Sequence, residues 1–159
     1  MVTPDSADLA GARPQPSVPE EEVSLDLPFD SDGLYAVRSS VAAHAGHLGA
    51  STQVVQRALI VASELATNAV RHGGGRGRLR LWVAGGRLHG EVSDSGRGLA
   101  DTAAGTERPP PTAPGGRGLW ISRQLADEFA IESSPNGTTA QFAISLDGDA
   151  LDISDHWST

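Results

Sequence analysis

One long periodic stretch limits this chain most. Val54, Ala58, Val61, Leu65 and Ala69 recur three and four residues apart, the spacing that lines side chains along one face of an α-helix. Ser51 or Thr52 stands at the N-cap position, and Gly73 stands where the helix must end. A single apolar stripe of this kind has to be buried against another layer. Its rim, in the run SELATNAVRHGG, carries Glu64, Asn68 and His72, each one turn beyond the last.

The flanking segments supply the other layer. VSLDLPF alternates Val23, Leu25 and Leu27 with polar residues, a strand pattern that stops at Pro28. From Asp32, a plausible N-cap, Leu34, Val37 and Val41 change to helical spacing, and the helix runs to about Ala45, before Gly46 and Gly49. RLRLWV and RLHGEVSD are alternating runs joined by Ala84-Gly85-Gly86-Arg87, a hairpin signal. Leu88, Gly90 and Val92 share a face, and Asp94 continues it, so a carboxylate points inward at the strand's end.

Residues 95–117 are crowded with glycine and proline and include Pro109-Pro110-Pro111; a loop of that length in a small domain reads as a lid or binding loop. GLWISRQLADEF returns to helical spacing through Ile121, Leu125 and Phe129. FAIES then reads as a strand, Pro135-Asn136-Gly137 as a turn, and TTAQFAISL as a last strand with Ala140, Phe142, Ile144 and Leu146 inward. The order β, α, α, β, β, lid, α, β, β predicts an α+β two-layer sandwich with helices on one face of a mostly antiparallel sheet.

Composition sets the outer bounds. A chain of 159 residues suits one domain with tails. Residues 1–22, with four prolines and Glu20-Glu21-Glu22, read as a disordered tail, 23–146 as the domain, and 147–159 as a short acidic tail. Cysteine is absent, which excludes disulfides, thiolate nucleophiles and Cys-based zinc sites. All 12 basic residues are arginine, so neither a P-loop lysine nor the lysine of the ordinary protein-kinase fold exists here. A net charge of -8 argues against duplex binding and toward a protein partner or small ligand. No apolar run approaches a membrane span and no leader pattern opens the chain, so the expectation is a cytoplasmic protein with no membrane contact.

Each chemistry-bearing residue has two readings from its own surroundings. Glu64 and Asn68 lie about 40° apart on the rim of the stripe. They are either a solvated helix edge or a site where a carboxamide oxygen meets hard Mg²⁺ and a carboxylate polarises a hydroxyl or water. Asp94 either makes a turn bond to nearby backbone or, being inward, accepts from a ligand donor such as the exocyclic amine of adenine. Gly96 and Gly98 permit close backbone approach, as do Gly115, Gly116 and Gly118 before the helix RGLWIS, whose first amides form an anion site. His44 and His47 form H-x-x-H without a third ligand and read as an exposed pair. Trp82, on the face opposite Leu81, reads as a packing or partner surface.

As an ordered set these motifs say more. E-L-x-x-N-A-x-x-H on a helix, D-S-G-R-G after a strand, G-G-R-G-L before a helix and G-T-T before a strand resemble the N box and the three glycine boxes of the GHKL ATPase superfamily, which has the Bergerat ATP-binding fold. Within it, SELATNAVRHG, GGRGLW and the short length are most similar to the bacterial anti-sigma factor serine/threonine kinases. The resemblance covers about residues 23–146. No histidine-bearing dimerisation helices precede the domain, so the expectation is not a histidine kinase.

The resemblance implies ATP and Mg²⁺ as cofactors, Glu64 as the general base and Asn68 as the Mg²⁺ ligand. It implies that Asp94 accepts from the adenine amino group in a pocket shaped by Gly96 and Gly98. Arg117 and Gly118 would lie by the phosphates, and Thr138 or Thr139 would support the adenine. His72 ends the same box and is either a site residue or a capping histidine; Arg38 occupies the place of an arginine that faces a partner or is structural. The implied partners are a sigma factor and an anti-sigma antagonist protein, with no direct nucleic-acid contact; a homodimer is compatible with the group. The rival expectation is a nucleotide-binding interaction module that sequesters a partner without phosphoryl transfer.

Overall fold

The structure, a computed structural model, describes residues 23–98 and 117–147. The expected tail over residues 1–22, residues 99–116 of the expected loop over 95–117, and all but the first residue of the expected 147–159 tail lie outside the described residues. Five strands form one sheet: β1 (Leu25–Asp30), β2 (Arg76–Ala84), β3 (Arg87–Asp94), β4 (Glu128–Ser134) and β5 (Gly137–Ser145). Their order is β1-β2-β3-β5-β4, and every neighbouring pair is antiparallel. Three helices, α1 (Leu34–His47), α2 (Thr52–His72) and α3 (Arg117–Leu125), complete the described domain. The result is the expected α+β two-layer sandwich.

The core lies between the layers. Leu79, Leu81, Leu88, Val92, Ala140, Phe142 and Ile144 point from the sheet into Val37, Val41 and the whole α2 stripe of Val54, Ala58, Val61, Leu65 and Ala69, all of them buried. Such burial contributes about 25 cal/mol per Å² of apolar surface, and it outweighs the modest helix propensity of the valines. Ser51 caps α2 by accepting from the Val54 amide at 3.2 Å, and Gly73 closes it. Gly85 and Gly86, with φ of 61° and 74°, turn β2 into β3, the conformation a two-residue hairpin requires.

Four boundaries depart from the sequence expectation. β1 continues through Pro28 to Asp30, because at the sheet edge an exposed proline gives up no essential ladder bond. Asp30, not Asp32, does the capping: its Oδ1 accepts from the Asp32 amide at 2.9 Å at the head of a short 3-10 turn that leads into α1. α1 runs through Gly46 to His47. α3 stops at Leu125, and Phe129 belongs to β4, since the Asp127 amide already pairs with the Ala143 carbonyl at 2.9 Å.

On the outer face of the sheet, Trp82 is buried and stacks on His89 with ring centroids 5.4 Å apart. Nearby, Arg78 grips both Asp26 oxygens at 2.6 Å and holds that carboxyl below the usual aspartate range. His44 bonds through Nδ1 to the Ser40 carbonyl at 3.0 Å, and no three His, Asp or Glu among the described residues could hold a metal together.

Candidate functional site

A narrow cleft, open to solvent at its mouth, lies between α2, the start of α3 and the inner face of the sheet. Leu65 and Ala69 of α2, Val92 of β3, Leu119 of α3, Ile131 of β4 and Ala140 of β5 form apolar walls. Asn68, His72, Asp94, Gly98 and Thr138 supply its polar edge. A mostly apolar slot with a few converging polar groups is the usual form of a small-molecule site.

Asp94 satisfies both of its sequence readings at once. Its Oδ1 accepts from the Gly96 amide at 2.9 Å, the turn bond, and from the Thr138 amide at 3.3 Å. Among the described residues Oδ2 takes no hydrogen bond, so one oxygen fixes the carboxylate and the other is left for a ligand donor. Thr138, opposite Asp94 in the β3–β5 register, shares a hydroxyl hydrogen bond of 2.8 Å with Ser133. Alternation along β5 places Thr138 on the cleft side and Thr139 on the opposite face.

Glu64 lies one turn before Asn68 on α2 and meets a different neighbour. A Cβ built at Gly118 would overlap its Oε1, so the glycine at the first turn of α3 lets the carboxylate lie directly against the helix backbone in this position. Glu64 is half-buried, and loss of solvent raises its pKa above the ordinary glutamate value, with Arg71 pulling more weakly the other way. A carboxylate whose pKa is raised by burial is a stronger base than an ordinary glutamate, which suits it to accept a proton.

The structure thus gathers Asn68, Asp94, Gly98 and Thr138 in one cleft and pairs Glu64 with Gly118 at its α3 end. Arg117 begins α3, next to Gly118. Gly96 acts one step back: its Cα packs so closely on Gly73 that a Cβ would overlap the Gly73 backbone. His72 is exposed at the mouth of the cleft, and Arg38 is exposed on α1 away from it.

Two kinds of residue were not singled out by sequence reasoning. Gly73 reads as a helix terminator and nothing more, yet a Cβ there would overlap the Asp94 carboxylate. The cleft walls carry no signal of their own, because Leu65, Ala69, Val92 and Ala140 have the same periodicity as core residues.

The donor set also bears on Mg²⁺. A single carboxamide, with no acidic cluster around it among the described residues, matches an ion whose remaining ligands are phosphate oxygens and water, as Mg²⁺ prefers; Asn68 is the residue that would hold it. When bound, the ion would offset negative charge on a polyphosphate.

A helix-walled cleft on one face of an antiparallel sheet, with an anchored aspartate at its floor and an asparagine on its rim, defines a GHKL-type ATPase domain. The family model of the histidine kinase-like ATPase domain matches residues 27–144, and the chain belongs to that family. Among solved structures, the RsbU and RsbW domains of Rv1364c from Mycobacterium tuberculosis are 22% identical with a TM-score of 0.58, covering 80% of this chain and 34% of that one. The histidine kinase domain of the blue-light activated histidine kinase from Erythrobacter litoralis is 27% identical with a TM-score of 0.51, covering 71% of this chain and 59% of that one. This chain therefore spans about a third of the first and under two thirds of the second. No curated protein is measurably similar by sequence. No described helix is long and apolar enough to cross a membrane.

Proposed function

We propose that this domain binds ATP with Mg²⁺ in the cleft and transfers the γ-phosphoryl group to a serine or threonine of a protein. The observation that carries the reading is Glu64: a half-buried carboxylate of raised pKa, set against the glycine that opens α3 and one turn from Asn68. Asp94 Oδ2 accepts from the adenine amino group, with Thr138 beside it and Gly98 leaving the backbone free to approach. Thr139, on the other face, supports only through the strand. The α3 amides, Gly118 and Arg117 face the phosphates.

In the transfer, Glu64 takes the proton of the acceptor hydroxyl as its oxygen bonds to the γ-phosphorus, and ADP leaves with the bridging oxygen. The motif set, through its resemblance to the anti-sigma factor kinases, favours a regulator that sequesters a sigma factor and phosphorylates its antagonist. The chain works on this reading in the cytoplasm.

The test is to co-purify the chain with its partners from native cells and add labelled ATP and Mg²⁺. Label appearing on a co-purified protein, and lost with Glu64→Ala while ATP still binds, supports transfer. Binding of ATP and partner with no labelled protein leaves sequestration alone as the function and sinks the kinase reading.

A further inference from the structure

α2 and α3 lie side by side and antiparallel, touching at matched positions. Arg57 and Glu64 are about two turns apart on α2, and Gly118 and Leu125 are separated by the same interval on α3. At one end the Glu64 carboxylate lies against Gly118. At the other, Arg57 Nε donates to the Leu125 carbonyl at 2.8 Å, where α3 ends. Val61 and Ile121 are buried between these two contacts.

Arg57 is only 2% exposed, and a guanidinium is costly to bury unless its donors are used. Its Nη2 reaches Asp127 Oδ1 at 3.4 Å, while Asp127 Oδ2 accepts from the Ser145 amide at 2.6 Å. The end of α3 is thereby tied to α2 and to β5 together. The apolar burial that holds Val61 and Ile121 in the shared core is non-directional and tolerates sliding; a hydrogen bond from a buried guanidinium does not. Arg57 itself is absent from the cleft wall.

The geometry points to Arg57 as a positioning residue: by holding the Leu125 carbonyl it sets the register of α3 along α2, and so places the first turn of α3 against Glu64. This rests on the reading of Glu64 as the base. A slip of one residue, about 1.5 Å, would bring Arg117 or Leu119 against the Glu64 carboxylate in place of Gly118 and push that carboxylate aside. Sequence reasoning gave Arg57 no role, because an arginine on a helix looks like surface until its partner across the fold is known.

Arg57→Met in the full chain tests this with two readouts per folded molecule, the folded fraction being fixed by circular dichroism. The first is ADP formation from MgATP in the presence of the co-purified acceptor protein, with the Kd of MgATP measured beside it. The second is titration of the Glu64 carboxyl by ¹³C NMR, assigned with Glu64→Gln. The expected result is a loss of about 10-fold or more in kcat, since misplacement near 1 Å has effects of this order, with Kd for MgATP weakened as well because Leu119 and the first amides of α3 shift too. The Glu64 midpoint should also fall toward the ordinary glutamate value as water enters. An unchanged midpoint, or an unchanged kcat in an active protein, overturns the assignment. If the unsubstituted chain forms no ADP, it is the base reading that fails, and the titration alone decides the register. Should Arg57→Met not fold, Arg57→Lys carries the same test, with a loss of about 3-fold or more expected.

Discussion

Gly73→Ala is a small change whose effect can be worked from the geometry. Gly73 has φ -107° and ψ 25°, a conformation open to alanine, so backbone strain contributes nothing and the consequence is steric. The new methyl would overlap Asp94 Cγ and Oδ2, and would press on the Ala69 carbonyl. Asp94 must swing away and give up its bonds from the Gly96 and Thr138 amides. Hydrogen bonds to a carboxylate contribute about 1.5–3 kcal/mol each when fully formed. With the longer one weak and the site half-open to water, the expected loss of stability is about 2–3 kcal/mol by urea unfolding. ATP affinity, measured by calorimetry, should fall about 10-fold or more, because the free Oδ2 leaves its place. In an Asp94→Ala background the carboxylate is gone, and Gly73→Ala should then cost at least about 1.5 kcal/mol less, a coupling ordinary for touching residues. Equal costs in the two backgrounds, or unchanged ATP affinity, would refute the argument that Gly73 exists to seat Asp94.

Two further outcomes follow from the site. Because Glu64's folded pKa is raised, its ionised form opposes folding; its favourable contribution is full at low pH and is lost as pH rises through the folded value. Glu64→Gln should therefore raise the urea midpoint at pH 7, with the advantage vanishing below the ordinary glutamate range, and a lower midpoint at pH 7 would contradict the burial argument. Thr138→Val should weaken ATP binding more than Thr139→Val in parallel calorimetry, and the reverse order would place the pocket on the wrong face of β5.

What the sequence discloses is whatever depends on local spacing. The α2 stripe, the glycine hairpin between β2 and β3 and the inward parity of Asp94 all follow from periods of 3.6 and 2, and all hold in the fold. What it hides depends on neighbours far along the chain. Pro28 looks like a strand end until β1 is known to be an edge. Phe129 falls four residues after Leu125 by coincidence, and only pairing of Asp127 with Ala143 shows that the helix has ended. Thr138 and Thr139 are indistinguishable as neighbours; the register of β5 on Asp94 separates them. Core and cleft wall share one pattern because a cleft is a core with one side missing.

The line of polar residues on α2 shows where local geometry stops being enough. Each four-residue step along a helix advances about 40° around it, so Glu64, Asn68 and His72 are a slow spiral and not a row. Over three positions that drift spans the edge of the cleft. Glu64 turns to Gly118 at the start of α3, Asn68 opens on the cleft, and His72 emerges exposed at its mouth. Gly73 continues instead the line of Leu65 and Ala69, and a Cβ there would meet Asp94. One helix therefore sets the proposed base, the proposed metal ligand and the space for the adenine acceptor. Its position relative to α3, which Arg57 holds two turns away, bears on the base and on the α3 wall of the cleft.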